Sequence, residues 1–129
     1  MIVELKVKTE NQFEMVDLTA KLRDLVKDVK EGIVTLYTPH STAAIVVNEN
    51  YDANIPKDIF KCLGCLIPEG GWLHDEVDKN ATAHIKAAIL GPSESIPIEN
   101  GKLLLGTWQS PMLVDFDGPK ERKVIVHIH

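Results

Sequence analysis

Two short apolar runs, residues 33 to 38 and 43 to 48, constrain the fold most. Both are rich in β-branched residues, whose branched Cβ packs well on a pleated surface, so both read as buried strands. Between them stands Thr38-Pro39-His40-Ser41-Thr42, a composition that favours a tight connection. This places an imidazole, His40, where two buried strands meet, an unusual position for a titratable ring.

The remaining elements follow from periodicity. Val3, Leu5 and Val7 alternate with Glu4, Lys6 and Lys8, as on one face of a strand. After a polar turn at residues 10 to 12 the chain pairs back briefly. Asp17 then caps a helix that carries Leu18, Leu22, Leu25, Val26 and Val29 at helical spacing and ends at Gly32. A second helix is expected from Asp52 to Ile67, with Ile55, Ile59, Leu63 and Leu66 on one side and Pro68 closing it. Residues 69 to 80 form the longest loop. A short alanine-rich helix follows from about Ala81 to Leu90, capped by Asp78 or Asn80 and stopped by Gly91-Pro92, with Asp78 the better cap and Asp75 the more exposed. The rest reads as β: Ile96 to Ile98, an Asn100-Gly101 turn, Leu103 to Gln109, Met112 to Phe116, and Lys123 to His129. The expected class is α+β, mostly antiparallel strands with about three helices.

At 129 residues the chain is read as a single domain spanning 1–129, since cores divide only at about 250–300 residues. Acidic residues outnumber basic ones, 19 to 14, for a net charge of -5, which argues against a nucleic-acid binder. Only Arg23 and Arg122 are arginines, so a site built from several bidentate forks is disfavoured. The alternating N-terminus resembles neither a signal peptide nor a membrane span, and the expectation is a cytoplasmic protein that binds no membrane. Cys62 and Cys65 form the one C-x-x-C. No second pair accompanies it, so it reads as a helix-face pair of the small, commonly buried kind rather than a redox or zinc motif.

Three of five histidines, His40, His74 and His84, fall in polar or connecting segments or beside small residues. Imidazole is the commonest transition-metal ligand, and three protein ligands with one open position make a catalytic zinc site. Their spacing is too irregular for a local finger, so the fold would have to assemble them. The alanines at 81, 83, 87 and 88 leave room near His84 for a ligand, or allow tight helix packing. His127 and His129 share one side of the last strand, where decoration of an edge is favoured and the final residue is expected to fray. Asn48-Glu49-Asn50-Tyr51-Asp52 follows a buried strand, where a carboxylate can act as general base, support a histidine, or cap a helix. Gly106-Thr107-Trp108-Gln109 ends an apolar run, where Trp and Gln suit a flat aromatic ligand, or Trp fills a core.

These residues together carry a resemblance. Thr38 to Thr42, Asn48-Glu49, Asp78 with Asn80-Ala81-Thr82-Ala83-His84-Ile85-Lys86, Leu90-Gly91-Pro92-Ser93, Ile96-Pro97 and Gly101 leading to Gly106-Thr107-Trp108-Gln109 resemble the YjbQ family, the secondary thiamine-phosphate synthase family. The resemblance implies a compact sandwich that assembles as a homotrimer, with a histidine-lined cleft near the subunit boundary. Carried onto this chain, it implies His40, Glu49 and His84 as catalytic groups. It implies His40, His74 and His84 as ligands of a divalent metal, zinc, or magnesium with a diphosphate substrate. Ser41, Thr42, Asn48, Lys86, Thr107, Trp108 and Gln109 would bind substrate, with Asp78 nearby. Two positions depart from the family pattern: Lys79 stands where Gly is common, and Ala53 where Pro is common.

The implied reaction joins hydroxymethylpyrimidine diphosphate to a thiazole phosphate with release of pyrophosphate. With so few arginines, the leaving group would depend on a metal, on Lys86, Lys102, Lys120, Arg122 or Lys123, and on backbone amides. Two other classes stand beside this enzyme: a trimeric metabolite- or metal-binding protein without turnover, and an assembly module whose histidines hold an interface.

Overall fold

The computed structural model describes residues 1–129. Its elements in chain order are β1 (Ile2–Lys8), β2 (Glu14–Asp17), α1 (Thr19–Val26), β3 (Glu31–Tyr37), β4 (Ala43–Glu49), α2 (Asn54–Leu66), a short 3-10 turn (Leu73–Glu76), α3 (Ala81–Leu90), β5 (Ser93–Glu99), β6 (Lys102–Leu103), β7 (Gln109–Asp115) and β8 (Glu121–Ile128). All strand pairings are antiparallel. They build a five-stranded sheet, order β1-β8-β3-β5-β6, and a three-stranded sheet, order β2-β7-β4.

The two buried runs join different sheets. β3 pairs with β5 and β8, while β4 pairs with β7, so Thr38 to Thr42 carries the chain from one sheet to the other. The three-stranded sheet is covered on both faces, which is why β4 is apolar at consecutive positions rather than alternate ones. Ala43 and Ile45, with Leu113 of β7, face the main core formed with Val34, Leu36, Val124 and Val126 of the other sheet and with Leu18, Leu22 and Val26 around α1. Ala44 and Val114 face the other way, against Ala83 and Ala87 of α3, and Phe60 of α2 packs on this second cluster. Small residues on both α3 and β4 let the helix lie close to the strand, so much of the alanine face serves packing.

Several expectations shift. Asp17 ends β2 and Leu18 takes the N-cap position of α1, although Asp17 Oδ1 still accepts from the Thr19 N–H at 2.8 Å and hydroxyl at 2.5 Å. The helix stops at Val26, not Gly32, and Gly32 belongs to β3, where an added Cβ would lie 2.9 Å from the His129 carbonyl oxygen. Leu103 to Gln109 is not one strand. The Leu104 N–H reaches back to Pro97 O and the Leu105 N–H to Leu103 O, so the ladder breaks after Leu103 and Gly106 to Trp108 leads into β7. Asn80, one of the two expected caps, takes the N-cap position of α3 without a side-chain capping bond; Asp75 Oδ1 instead accepts from the Ala81 N–H at 3.1 Å, and Asp78 is the exposed acid. Cys62 and Cys65 lie on α2 as expected but are exposed and unbonded to each other. His129 is pinned by two backbone bonds to Ile33 rather than frayed. Lys79 takes a φ of 56°, the left-handed conformation that favours glycine, the residue expected there from the resemblance. Ala53 has φ -61°, a value proline shares. No helix is long and apolar enough to cross a membrane.

Candidate functional site

His40 is fixed by what its loop can bond to. The Lys123 N–H donates to His40 Nε2 at 2.9 Å, and the Thr38 hydroxyl donates to Lys123 O at 3.2 Å. A backbone N–H can only donate, so Nε2 carries the lone pair and the neutral ring keeps its proton on Nδ1. Burial, and then the Arg122 charge, hold its pKa below the ordinary 6.5, against the opposing pull of Asp115. Neutral His40 is therefore a donor through Nδ1.

Beneath this loop lies a charged pair the sequence reading missed. Asp115 is fully buried and Arg122 4% exposed. Arg122 Nε donates to Asp115 Oδ2 at 3.0 Å and Nη2 to Oδ1 at 2.6 Å, a bidentate fork, and Nη2 also donates to Thr42 Oγ1 at 2.8 Å. Thr9 Oγ1 and the Asp117 N–H complete the shell of the carboxylate. Burial alone would raise the Asp115 pKa, but the Arg122 hydrogen bonds, with those from Asp117 and Thr9, hold it below the ordinary 3.8. The sequence signal was phase: Arg122 shares the inward face of β8 with Val124, Val126 and Ile128, where a charge requires a partner.

His84 extends from α3 beside His74 of the 3-10 turn, their ring centroids 4.8 Å apart and nearly perpendicular. His84 and His40 line one cavity of about 360 Å³ with Ser41, Ala87 and Ala88. Two buried side-chain atoms lack any hydrogen-bond partner, His74 Nε2 and Asn80 Oδ1, and both lie just before or at the start of α3. Asp78 Oδ2 is 3.7 Å from His74 Nε2, too far for a hydrogen bond. Of the three histidines, His84 packs against His74 and shares a cavity with His40. They do not form the expected metal site within one chain: no group of three or more His, Cys, Asp or Glu side chains could hold an ion.

The other expected residues stand elsewhere. The histidine cavity includes Ala43 at the start of β4, and Glu49 ends that strand, a span of about 20 Å at ~3.3 Å per residue. Glu49 borders a cavity of about 470 Å³ with Tyr51, Asp52 and Trp108. Thr107, Trp108 and Gln109 border another of about 350 Å³. Asn48 is exposed, its Oδ1 accepting from the Glu49 N–H. Lys86 is buried, its Nζ 4.8 Å from the Phe13 ring centroid, a cation–π contact. Thr42 is held by Arg122, and Ser41 alone of the remaining expected binding residues lines the histidine cavity. The one site implied by the resemblance is therefore two separated clusters in a single chain.

A two-sheet α+β domain with a histidine pair over a shallow cavity defines the structural class. The chain belongs to the YjbQ family: residues 3–129 match the family model described as UPF0047 protein YjbQ-like. A UPF0047 protein of Archaeoglobus fulgidus is 44% identical over 125 residues, covering 96% of this chain and 98% of that one. YugU of Bacillus subtilis, also a UPF0047 protein, is 35% identical over 95% of this chain and 94% of its own. The crystal structure of a YbjQ-like protein of unknown function from Sulfolobus solfataricus has a TM-score of 0.94 at 38% identity, covering 99% of this chain and 95% of that one. An uncharacterised YjbQ/UPF0047 protein from Clostridium acetobutylicum matches with a TM-score of 0.94 at 42% identity, covering 98% and 99%.

Proposed function

We propose that the chain is a cytoplasmic small-molecule enzyme of the YjbQ type, working as a homotrimer, with His84 and His40 as its catalytic groups. The observation that carries this reading is the shared cavity of His40 and His84, with an unpartnered His74 Nε2 behind it. Buried polar atoms are nearly always satisfied, so an orphan beside a histidine pair is a mark of a ligand site.

The reaction is the one the resemblance implies. The bond from the activated pyrimidine carbon to its diphosphate breaks, the thiazole takes that place, and pyrophosphate leaves. His40 Nδ1–H would donate to the oxygen that gains charge, and its depressed pKa keeps it a neutral donor at pH 7. Within one chain no group of three His, Cys, Asp or Glu side chains could hold an ion, so a divalent metal at His40, His74 and His84, as the resemblance implies, would need further ligands. A homotrimer would supply the rest of the ligands and of the cleft, and would cover Leu73 and Val77, which flank His74 in sequence and are 86% and 75% exposed. The ion, zinc or substrate-borne magnesium, would offset charge on the leaving group.

Direct detection of thiamine phosphate from the two substrates tests the activity. Turnover abolished by His84→Ala, with metal content of untagged protein lowered in parallel, supports it. Steady turnover by His84→Ala rejects the assignment. A trimeric metabolite- or metal-binding protein without turnover is favoured by one observation, the capture of Arg122 by Asp115 beside the site, which removes its fork from phosphate chemistry. Binding of the substrates by calorimetry with no product would select that reading.

A further inference from the structure

Two exposed histidines, His127 and His129, stand on the outward face of β8. The strand alternates inward Arg122, Val124, Val126 and Ile128 with outward Lys123, Ile125 and His127, and His129 continues the outward phase. Because β8 runs between β1 and β3, the pair lies inside the five-stranded sheet and does not decorate an edge. The backbone beneath it is held on both sides. His127 is in register with Ile2 of β1 and Thr35 of β3, and His129 exchanges two backbone bonds with Ile33.

The side chains are also placed. Their ring centroids lie 4.6 Å apart, with the planes tilted by 33°. Two imidazoles on one ion, at a metal–nitrogen distance of about 2.0–2.1 Å, hold their centroids roughly 4.5–5.3 Å apart, so these rings already stand at chelating separation. Thr35 Oγ1 is 3.1 Å from His129 Nε2 and 2.8 Å from Ser95 Oγ. In the tautomer protonated on Nε2, His129 donates to Thr35, whose hydroxyl donates on to Ser95, and the Nδ1 lone pair is left for a ligand bond. Metal-ligating histidines are held through their other ring nitrogen in the same way, which fixes tautomer and ring direction. Only His40 and His129 have ring hydrogen bonds within the chain, so the lone pair of His127 is unspent.

The surroundings admit a cation. Ile2 and Thr35 flank His127 and Ile33 flanks His129, so no positive side chain stands directly across from either ring. The backbone amides there belong to the sheet ladder and cannot join as ligands, which leaves two imidazole nitrogens and water. Imidazole suits copper, nickel and zinc, and for a given nitrogen site copper(II) is held most tightly of the first-row divalent ions. The pair is also remote from the histidine cavity: His40 bonds to Lys123, four residues back along β8 and about 13 Å away at ~3.3 Å per residue.

We infer that His127 and His129 form a two-imidazole chelate for a first-row divalent transition-metal ion, copper(II) above nickel(II) and zinc(II), with Thr35 as its positioning residue. The inference does not rest on the proposed reaction or on a metal at His84.

Nuclear magnetic resonance of the full, untagged chain titrated with copper(II) chloride tests it, since the paramagnetic ion broadens only amides close to where it binds. The amides of Ile2, Thr35 and His127 should broaden at substoichiometric copper, whatever happens at Ala83 and Ala87, which report on His84. His127→Gln and His129→Gln should each lower the affinity read from that broadening by at least about tenfold, and Thr35→Val, which keeps the branched Cβ, by about tenfold. Both imidazoles are exposed, so neither glutamine empties a core. His84→Ala should leave the broadening at Ile2 and Thr35 unchanged. Broadening confined to Ala83 and Ala87, no localised broadening at all, or unchanged affinity in His127→Gln or His129→Gln would each overturn the site, and indifference to Thr35→Val would overturn the role given to Thr35.

Discussion

Replacing Arg122 by Met tests the buried pair beneath the His40 loop. The change keeps most of the aliphatic volume and removes three hydrogen bonds, two to Asp115 and one to Thr42. Breaking one side of a buried pair costs about 3–5 kcal/mol, because the remaining charge is left uncompensated in a medium that solvates it poorly. Here the Asp115 carboxylate keeps the Thr9 hydroxyl and the Asp117 N–H, so the lower end, about 3 kcal/mol, is expected. In a domain of this size that corresponds to about 9–15 °C in Tm. The sign of the pH dependence is the sharper signature. In the parent chain the Asp115 pKa is depressed, so its contribution is present above 3.8 and is lost as pH falls below it. In the variant burial acts unopposed by Arg122, the pKa rises, and the folded state is favoured as Asp115 takes up a proton. The stability gap between parent and variant must therefore narrow toward acid pH. Urea denaturation at pH 3.5 and pH 7 reads both numbers, and Arg122→Met/Asp115→Asn, which removes the stranded charge, should recover part of the loss at pH 7. A gap under about 1 kcal/mol at pH 7, or one that does not change with pH, would refute the reasoning.

Four further outcomes follow from single positions. Lys79→Gly should stabilise by about 0.5–1 kcal/mol, because the left-handed backbone at φ 56° strains a residue with a Cβ, and thermal melting reads it. Gly101→Ala should cost about 2–4 kcal/mol, since φ is 74° and the new Cβ would clash with the Lys27 carbonyl oxygen; a loss below ~1 kcal/mol in denaturant melts would contradict that contact. Asp75→Ala should cost about 1 kcal/mol by removing the acceptor of the Ala81 N–H at the start of α3, whereas Asp78→Ala should leave that bond intact, both read by thermal melting. Nitrogen-15 NMR should show His40 protonated on Nδ1 at neutral pH. Because its folded pKa is below 6.5, its stabilising contribution is present above 6.5 and is lost as pH falls through the lower folded value, a slope that His40→Gln should flatten.

What the sequence disclosed was local chemistry in period. The two β-branched runs, the alanine-rich helix and the Asn100-Gly101 turn were legible because each depends on neighbours within a few residues. Leu103 to Leu105 misled because three leucines suggest a strand, whereas a strand exists only where another edge accepts its bonds, and that edge ends at Leu103. Gly32 misled for the opposite reason: its smallness answers the approach of His129, almost a full chain length away. Spacing put Asn80 at the N-cap of α3, but that Asp75 rather than Asp78 accepts from the Ala81 N–H depends on how a 3-10 turn folds back on the helix, which spacing does not encode. For the candidate site, residue type singled out His40, His74 and His84, and Glu49 with Trp108, which the structure places at separate cavities. It could not reveal that β4 holds the two sets apart, because a motif records order along the chain and not which end of a strand it occupies.

The count of cations sharpens this division. Of the positive side chains near the histidine cavity, Arg122 is committed to Asp115, Lys123 lies 3.7 Å from Glu4, and Lys120 is paired with Asp117 at 2.8 Å. Lys86 rests on Phe13. An anion at His40 and His84 would thus meet ring N–H groups rather than an unspent lysine or arginine. At the other end, Arg23 and Lys102 take part in no ion pair of the chain, and Arg23 borders the cavity of about 350 Å³ with Tyr51 and Trp108. If both ends serve one reaction, a small substrate could touch both across about 20 Å only where two copies of the chain bound it, and co-expression of two variants tests whether copies combine in this way. Co-assembled His84→Ala and Arg23→Gln chains would then regain activity that neither variant has alone, because some clefts would combine an intact histidine end with an intact arginine end. If the two ends act independently, mixing restores nothing beyond what each variant contributes by itself.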